Sequence, residues 1–376
     1  SRKFYLPKSR NKMRVTIVLF AVFLFPFICF TSYAQSSGQI GMFRAAVVKV
    51  DITPRNSQYL LGYNERKSTG VHDPIYHRIV ALDVGVTQFI LVSTETCVIS
   101  PVEYDHIAGQ IKNRLGIDPM NLWWTVTHTH SAPEVGPSGL DRVFMSERFQ
   151  HEVDTEYTSF VEQKLIEGIT EARQKLTSAR LGISWGFSQA NINRRARDID
   201  GKTSLGMNPD GPVDRRIGLL RIEKEDGTPI VLIANYPMHG TVLGSKNLLI
   251  SGDAQGVVSE FVEQKIGAPL IFINGAARNL PPIYSASNLD KFGQFPVLLG
   301  NKILDANQKI LATTNIVILH SGGIVVETPR KEGLEWPSDL NDYNRTTKTG
   351  INMVRIPIRF LKINEEIGRA SCRERE

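Results

Sequence analysis

The 376 residues are 41% hydrophobic and 22% charged, an ordinary globular composition that excludes a disordered or repeat-built chain. The formal charge of +6 comes from the first fourteen residues, where Arg2, Lys3, Lys8, Arg10, Lys12 and Arg14 have no acidic counterpart. Residues 15–365 are neutral, so the electrostatic argument for a nucleic-acid partner fails.

Residues 1–12 read as translated sequence upstream of Met13. Met13-Arg14, the apolar run Val15 to Phe30 and then Thr31-Ser32-Tyr33-Ala34 have the layout of a secretory signal. Residues 13–34 are expected to be removed near Ala34, giving a secreted or periplasmic protein; a retained membrane anchor is the rival reading. Residues 35–365 read as one domain. Residues 366–376 resemble a translated sequencing adapter, with a genuine polar tail as the alternative. Cys29 lies in the leader and Cys372 in that tail. Cys97 is then the body's single cysteine, expected as a buried thiol with no disulfide.

Phe43 to Val50 alternates as a strand, and Ile79 to Val84 with Gln88 to Thr94 reads as a hairpin turned at Gly85. Tyr104 to Leu115 is helical up to Gly116. Leu122-Trp123-Trp124-Thr125-Val126 is a buried strand running into Thr127-His128-Thr129-His130-Ser131. Asp154 can cap a helix with Tyr157, Val161, Leu165, Ile169, Ala172 and Leu176 on one face. Strands follow at Ala179 to Gly186, Ile217 to Ile222 and Pro229 to Tyr236. Asp253 can cap a second helix, with Val257, Val258, Phe261, Val262 and Ile266 inward. Leu270 to Ile273 is a short strand and Leu289 to Leu311 is largely helical. Strands return at Ile316 to Leu319, Gly323 to Val326 and Met353 to Leu361. The mixture predicts an α/β fold, mixed sheets with flanking helices layered around one core.

Reactive residues collect where strands end, the usual place for a site on a rigid scaffold. His128 and His130, two apart on an extended segment, would face the same side, and neutral imidazole is a common zinc ligand. His239 follows the strand Ile230 to Ala234 and can meet them at one sheet edge. Each has a plainer reading. A lone H-x-H is a weak metal motif, and His239 before Gly240 fits a satisfied histidine at a strand exit. His72-Asp73 fits a turn, Asp253 fits an N-cap, and Glu134 fits a solvated loop residue.

The spelling and order of these segments resemble the neutral/alkaline (non-lysosomal) ceramidase family. The matching runs are Val50-Asp51-Ile52-Thr53-Pro54, Leu61-Gly62-Tyr63, His72-Asp73-Pro74-Ile75-Tyr76 with Arg78, and the THTHS run with Pro133. Further along they are Asn191-Ile192-Asn193-Arg194-Arg195, Asn208 to Asp214, and Tyr236-Pro237-Met238-His239-Gly240-Thr241. The resemblance spans about Phe43 to Arg278 and implies a catalytic zinc on His128 and His239. It implies that His130 and Arg194 line the site and orient or polarise a substrate carbonyl. The expected activity is hydrolysis of an amide in a lipid, with peripheral membrane contact. The family's other zinc ligands, a glutamate and a tyrosine, lie downstream of the strand that Val354 to Leu361 resembles; nothing matches Glu327 to that role. One departure is sharp: where members carry a nucleophilic serine in G-D-x-S-P, this chain reads Arg278-Asn279-Leu280-Pro281-Pro282. Proline offers no nucleophile. Attack by water, or an altered or inactive member serving as a lipid- or carbohydrate-binding module, are the alternatives; a metal-dependent esterase or phosphoesterase is a third.

Overall fold

The computed structural model describes residues 42–85, 87–137, 151–284, 292–316, 319–333, 335–364 and 366–368. The leader, the upstream residues and most of the adapter-like tail lie outside them. In chain order the elements begin with β1 (Phe43–Asp51), β2 (Gly70–Val71), β3 (Tyr76–Val84), β4 (Thr87–Thr94), α1 (Pro101–Leu115), β5 (Leu122–Val126) and α2 (Thr155–Gln174). Then come β6 (Thr177–Ser178), β7 (Arg180–Phe187), β8 (Asn193–Arg197), β9 (Thr203–Asn208), β10 (Arg216–Glu223), β11 (Pro229–Tyr236) and β12 (Leu249–Ile250). The chain continues through α3 (Asp253–Ile266), β13 (Leu270–Asn274), α4 (Asn301–Gln308), β14 (Leu319–Pro329), β15 (Asn344–Thr346), β16 (Asn352–Ile363) and β17 (Glu366–Gly368).

Two sheets form the frame, ordered β5-β4-β3-β1-β6 and β13-β11-β10-β7. Alternation along their strands fills three apolar layers, because successive side chains point to opposite faces. Val80, Leu82, Phe89 and Leu91 of the first sheet meet Val231, Ile233 and Ile271 of the second. The intervening Ile79, Ala81, Ile90 and Val92 pack outward on Ile107 and Ile111 of α1 and Leu165 and Ile169 of α2. On the other side Leu232, Ala234, Leu270 and Phe272 pack on Val258 and Val262 of α3 and Ile303 of α4. The result is helix, sheet, sheet, helix. The α/β fold of layered mixed sheets with flanking helices expected from sequence is the one that forms. Its cause is legible in β3, β4, β11 and β13, which are apolar on both faces and so must be covered on both.

The β3–β4 hairpin turns at Gly85 with φ 65, and Gly116 ends α1 with φ 70. Helix α1 starts earlier than expected, because the Ser100 side chain accepts from Glu103 N at 3.1 Å and Pro101 is tolerated in the first turn. Asp154 caps α2 through Tyr157 N at 2.9 Å. The segment expected to be largely helical, Leu289 to Leu311, holds among its described residues a five-residue π turn at Pro296–Gly300 that runs into the short α4. The strand expected at Gly323–Val326 lies within a longer one, and residues 317 and 318 of the expected Ile316–Leu319 lie outside the described residues. β14 runs unbroken from Leu319 to Pro329 against β16, and Gly322 seats the ring of Phe360, which a Cβ would approach to 2.4 Å. No helix among the described residues is long and apolar enough to cross a membrane.

Candidate functional site

Parallel pairing sets the place. β5 pairs in parallel with β4 at one sheet's edge, and β13 with β11 at the edge of the other. The carboxyl ends of β5, β11 and β13 give the segments 127–131, 237–243 and 275–282. Crevices outside the carboxyl ends of parallel strands are the usual binding position in α/β proteins.

The two histidine segments are tied by backbone. His130 N donates to Gly240 O at 2.8 Å, and Gly240 N to His128 O at 3.1 Å. Residue 240 must be glycine here: a Cβ would lie 2.6 Å from Thr129 Cα and 2.7 Å from His128 O. The rings of His128 and His239 then stand 4.6 Å apart, His128 and His130 4.9 Å, and His130 and His239 5.7 Å. The histidines do converge, but not by the extended alternation read from sequence. β5 ends at Val126 and His128 has φ 65. Such a backbone costs on the order of 1–3 kcal/mol outside glycine and persists only where the surroundings enforce it.

The tautomers follow from the carbonyls. His128 Nδ1 lies 2.7 Å from Cys97 O, and His239 Nδ1 lies 2.8 Å from Ala277 O. Each Nδ1–H donates outward, so each Nε2 keeps its lone pair. The Nε2 atoms of His128 and His130 are 3.4 Å apart. Burial pushes His239 down to about 3, helped by His128 and Arg194, and holds His130 well below its ordinary value. These two imidazoles are neutral at neutral pH, the form that binds metal. His130 lies on Gly62, whose φ is 105 and whose added Cβ would sit 2.4 Å from His130 Nδ1; Tyr63 meets the same ring edge-on at 4.9 Å.

Arg194 joins the group. It sits on β8, its amide donates to Asn279 O at 2.9 Å, and its Nη2 reaches His239 Nε2 at 3.3 Å. The loop that would carry the nucleophile thus serves as backbone support. Ala277 O and Leu280 O hold His239, Asn279 O holds Arg194, and Pro281 O accepts from Ile192 N at 3.1 Å.

Sequence reasoning placed Cys97 in the core but missed its neighbour. The buried thiol sulfur is 3.8 Å from His128 Nδ1, and Cys97, His128 and His130 bring donor atoms within 4.8 Å of one another. That group can hold a metal ion. His72-Asp73 is not a self-capped turn: it is a bend whose Asp73 carboxylate accepts from the distant Ser251 Oγ at 2.6 Å and Gly252 N at 2.8 Å. Asp253 is not the N-cap. Gly252 takes that position, and the buried Asp253 carboxylate instead accepts from Val242 N, Leu243 N and Ala254 N, pinning the segment after His239 to α3. Glu134 is not solvated; it is 7% exposed and 3.2 Å from His151 Nε2. Glu327 pairs with Arg345 on the exposed β14.

Residues 43–275 match the family described as neutral/alkaline non-lysosomal ceramidase, N-terminal. This chain belongs to that family. Among its relatives, neutral ceramidase B of Dictyostelium discoideum is 27% identical over 253 residues, covering 63% of this chain and 33% of the relative. The neutral ceramidase of Pseudomonas aeruginosa is 25% identical over 252 residues, covering 64% of this chain and 37% of the relative. The chain thus spans about a third of the length of these ceramidases. The crystal structure of the Pseudomonas aeruginosa neutral ceramidase shares the fold, with a TM-score of 0.67 at 18% identity over 86% of this chain and 61% of that one. A second solved structure, a ceramidase complexed with C2, superposes equally well, with a TM-score of 0.67. Of the motifs quoted from the sequence, the THTHS run, Asn191 to Arg195 and Tyr236 to Thr241 line or support the histidine cluster.

Proposed function

We propose that this chain carries the catalytic core of an exported zinc-dependent hydrolase that cleaves the amide of an N-acyl lipid such as ceramide. The observation that carries the proposal is the convergence of His128, His130, His239 and Arg194 from three separate family motifs. His128 and His239 would hold the zinc, each with Nε2 left available by a carbonyl on Nδ1. Two nitrogens about 2.1 Å from one tetrahedral ion stand about 3.4 Å apart, and the His128 and His239 rings, with centroids 4.6 Å apart, come to one place. Zinc supplies a Lewis acid for the amide carbonyl and an acidified water. Arg194 directs a guanidinium at the same place and would donate to the carbonyl oxygen as negative charge develops there. His130, neutral and fixed between Gly62 and Tyr63, would orient the substrate beside it. Pro281 has no hydroxyl, so the acyl group is handed directly to water and no ester to residue 281 forms. Ceramide lies in bilayers, so the substrate is expected to be taken at a membrane surface. The leader-like residues 13–34 motivate export, which N-terminal sequencing of the mature protein checks.

The test is metal content with turnover. The purified protein should bind about one zinc, and His128→Ala and His239→Ala should each lose it together with hydrolysis of a fluorogenic N-acyl amide. Stoichiometric zinc in both variants would sink the assignment. Pro281 also favours a second reading, an inactive member that binds lipid; zinc bound without turnover of any amide, long- or short-chain, decides for it.

A further inference from the structure

We propose that the hairpin of β8 and β9 is the surface by which this chain docks on a bilayer carrying anionic headgroups. The inference rests on the reading of the site as acting on a membrane lipid. It goes beyond that reading by naming the segment that meets the membrane and the lipid charge it prefers.

Three observations carry it. First, the hairpin leaves large apolar side chains in water. Ile199 at its tip is 101% exposed, Leu205 72% and Met207 62%. One such residue is ordinary on a surface, but three on one short hairpin mark a contact. Second, the same hairpin is basic. Residues 193–208 carry Arg194, Arg195, Arg197 and Lys202 against Asp198 and Asp200, in a body whose residues 15–365 are neutral. The turn takes up the Asp198 carboxylate, which accepts from Asp200 N at 3.1 Å and Lys202 N at 2.8 Å. Among the described residues Arg195, Arg197 and Lys202 pair with no carboxylate; Arg195 Nε donates to the neutral Asn279 Oδ1 at 2.6 Å. Arg195 lies opposite Leu205 and Arg197 opposite Thr203, so two cations share a face with an exposed leucine. Third, the hairpin is joined to the candidate site, because Arg194 on β8 reaches His239 Nε2 at 3.3 Å.

The charges alone would suit any polyanion. Ile199, Leu205 and Met207 select the one that also offers an apolar interior, since apolar side chains enter the acyl boundary while lysine and arginine stay among the headgroups. The wedge is built before it docks. β8 and β9 form a two-stranded sheet of their own, and the tip is closed by Asp198 N on Lys202 O at 3.1 Å and Gly201 N on Asp198 O at 3.0 Å. A preformed tip loses little freedom on binding.

Vesicle co-sedimentation tests the surface without reference to turnover. The purified chain should bind vesicles of phosphatidylcholine mixed with phosphatidylglycerol about 10-fold or more tightly than phosphatidylcholine alone, and the preference should fade as salt rises. Ile199→Asp combined with Leu205→Asp should weaken that binding about 10-fold or more, with zinc content and hydrolysis of a short, soluble N-acyl amide unchanged. Arg197→Gln combined with Lys202→Gln should erase the phosphatidylglycerol preference, and this milder pair decides the matter if the aspartates prevent folding. Equal binding of the mixed vesicles by wild type and both variants, or none by the wild type, overturns the inference and leaves the hydrolase standing on the soluble amide. Hairpin-dependent binding with no amide turned over supports the docking surface and counts against the hydrolase instead.

Discussion

His77 shows what a buried histidine does when it is structural. Trp124 Nε1 donates to Thr94 Oγ1 at 2.7 Å, Thr94 stands 2.7 Å from His77 Nδ1, and His77 Nε2 is 3.1 Å from Val161 O. The neutral ring is satisfied at both nitrogens, and burial lowers its pKa from 6.5 to about 4. The folded state refuses the proton that the unfolded chain accepts. Its contribution to stability is therefore whole above pH 6.5 and is lost as the pH falls toward 4. The urea midpoint should drop more steeply between pH 7 and 4.5 in wild type than in His77→Gln; superimposable pH profiles would refute the assignment. Gly240 is the contrasting residue. Its clash partners are backbone atoms of Thr129 and His128, which cannot swing away. Gly240→Ala should cost about 1–3 kcal/mol and lower zinc affinity, as read by denaturation and metal titration. Retained affinity at lower stability would show that the two histidine segments need not be clamped together.

Elements were legible where a pattern repeats and opaque where a contact decides. Helix α2 came from three-to-four spacing and an Asp154 cap, β3–β4 from alternation about Gly85. Leu289 to Leu311 reads as largely helical from its apolar spacing, but that spacing does not tell the π turn at Pro296–Gly300 from an α turn. Asp253 misled because an acidic residue at a helix start reads as a cap, while its carboxylate reaches residues 242 and 243, distant in sequence. The partners of His128 and His239 are main-chain carbonyls, which carry no residue signature at all. For the same reason the segment 275–282 supports the site by carbonyls whatever its side chains, which is how Pro281 can be accommodated. Leu280 is 5% exposed, so Leu280→Ala should cost roughly 2–3 kcal/mol with zinc binding intact. Deleting Leu280 shifts the carbonyl register and should release His239 and the metal with it. Equal zinc loss in both would place the effect in packing instead of register.

At the scale of the molecule, the candidate site lies on a seam. His128 and His130 follow the edge strand of one sheet, His239 leaves an inner strand of the other, and Gly240 and His130 hydrogen-bond across the join. The sheets also share the apolar layer that includes Leu91 and Ile233. An ion bound by both sides is a cross-link that the unfolded chain lacks, so binding adds directly to stability, by about 2.7 kcal/mol at a hundredfold excess over Kd. Zinc should therefore raise the melting temperature of the wild type by several degrees, and chelation should reverse it. Hydrogen exchange locates the cross-link. Zinc should protect amides in both 127–131 and 239–243 in the wild type, and in neither after His239→Ala. If protection is confined to 96–131, the ion is held by one sheet alone, His239 is not a ligand, and the Cys97, His128 and His130 group is the whole of the metal's protein shell within the described residues.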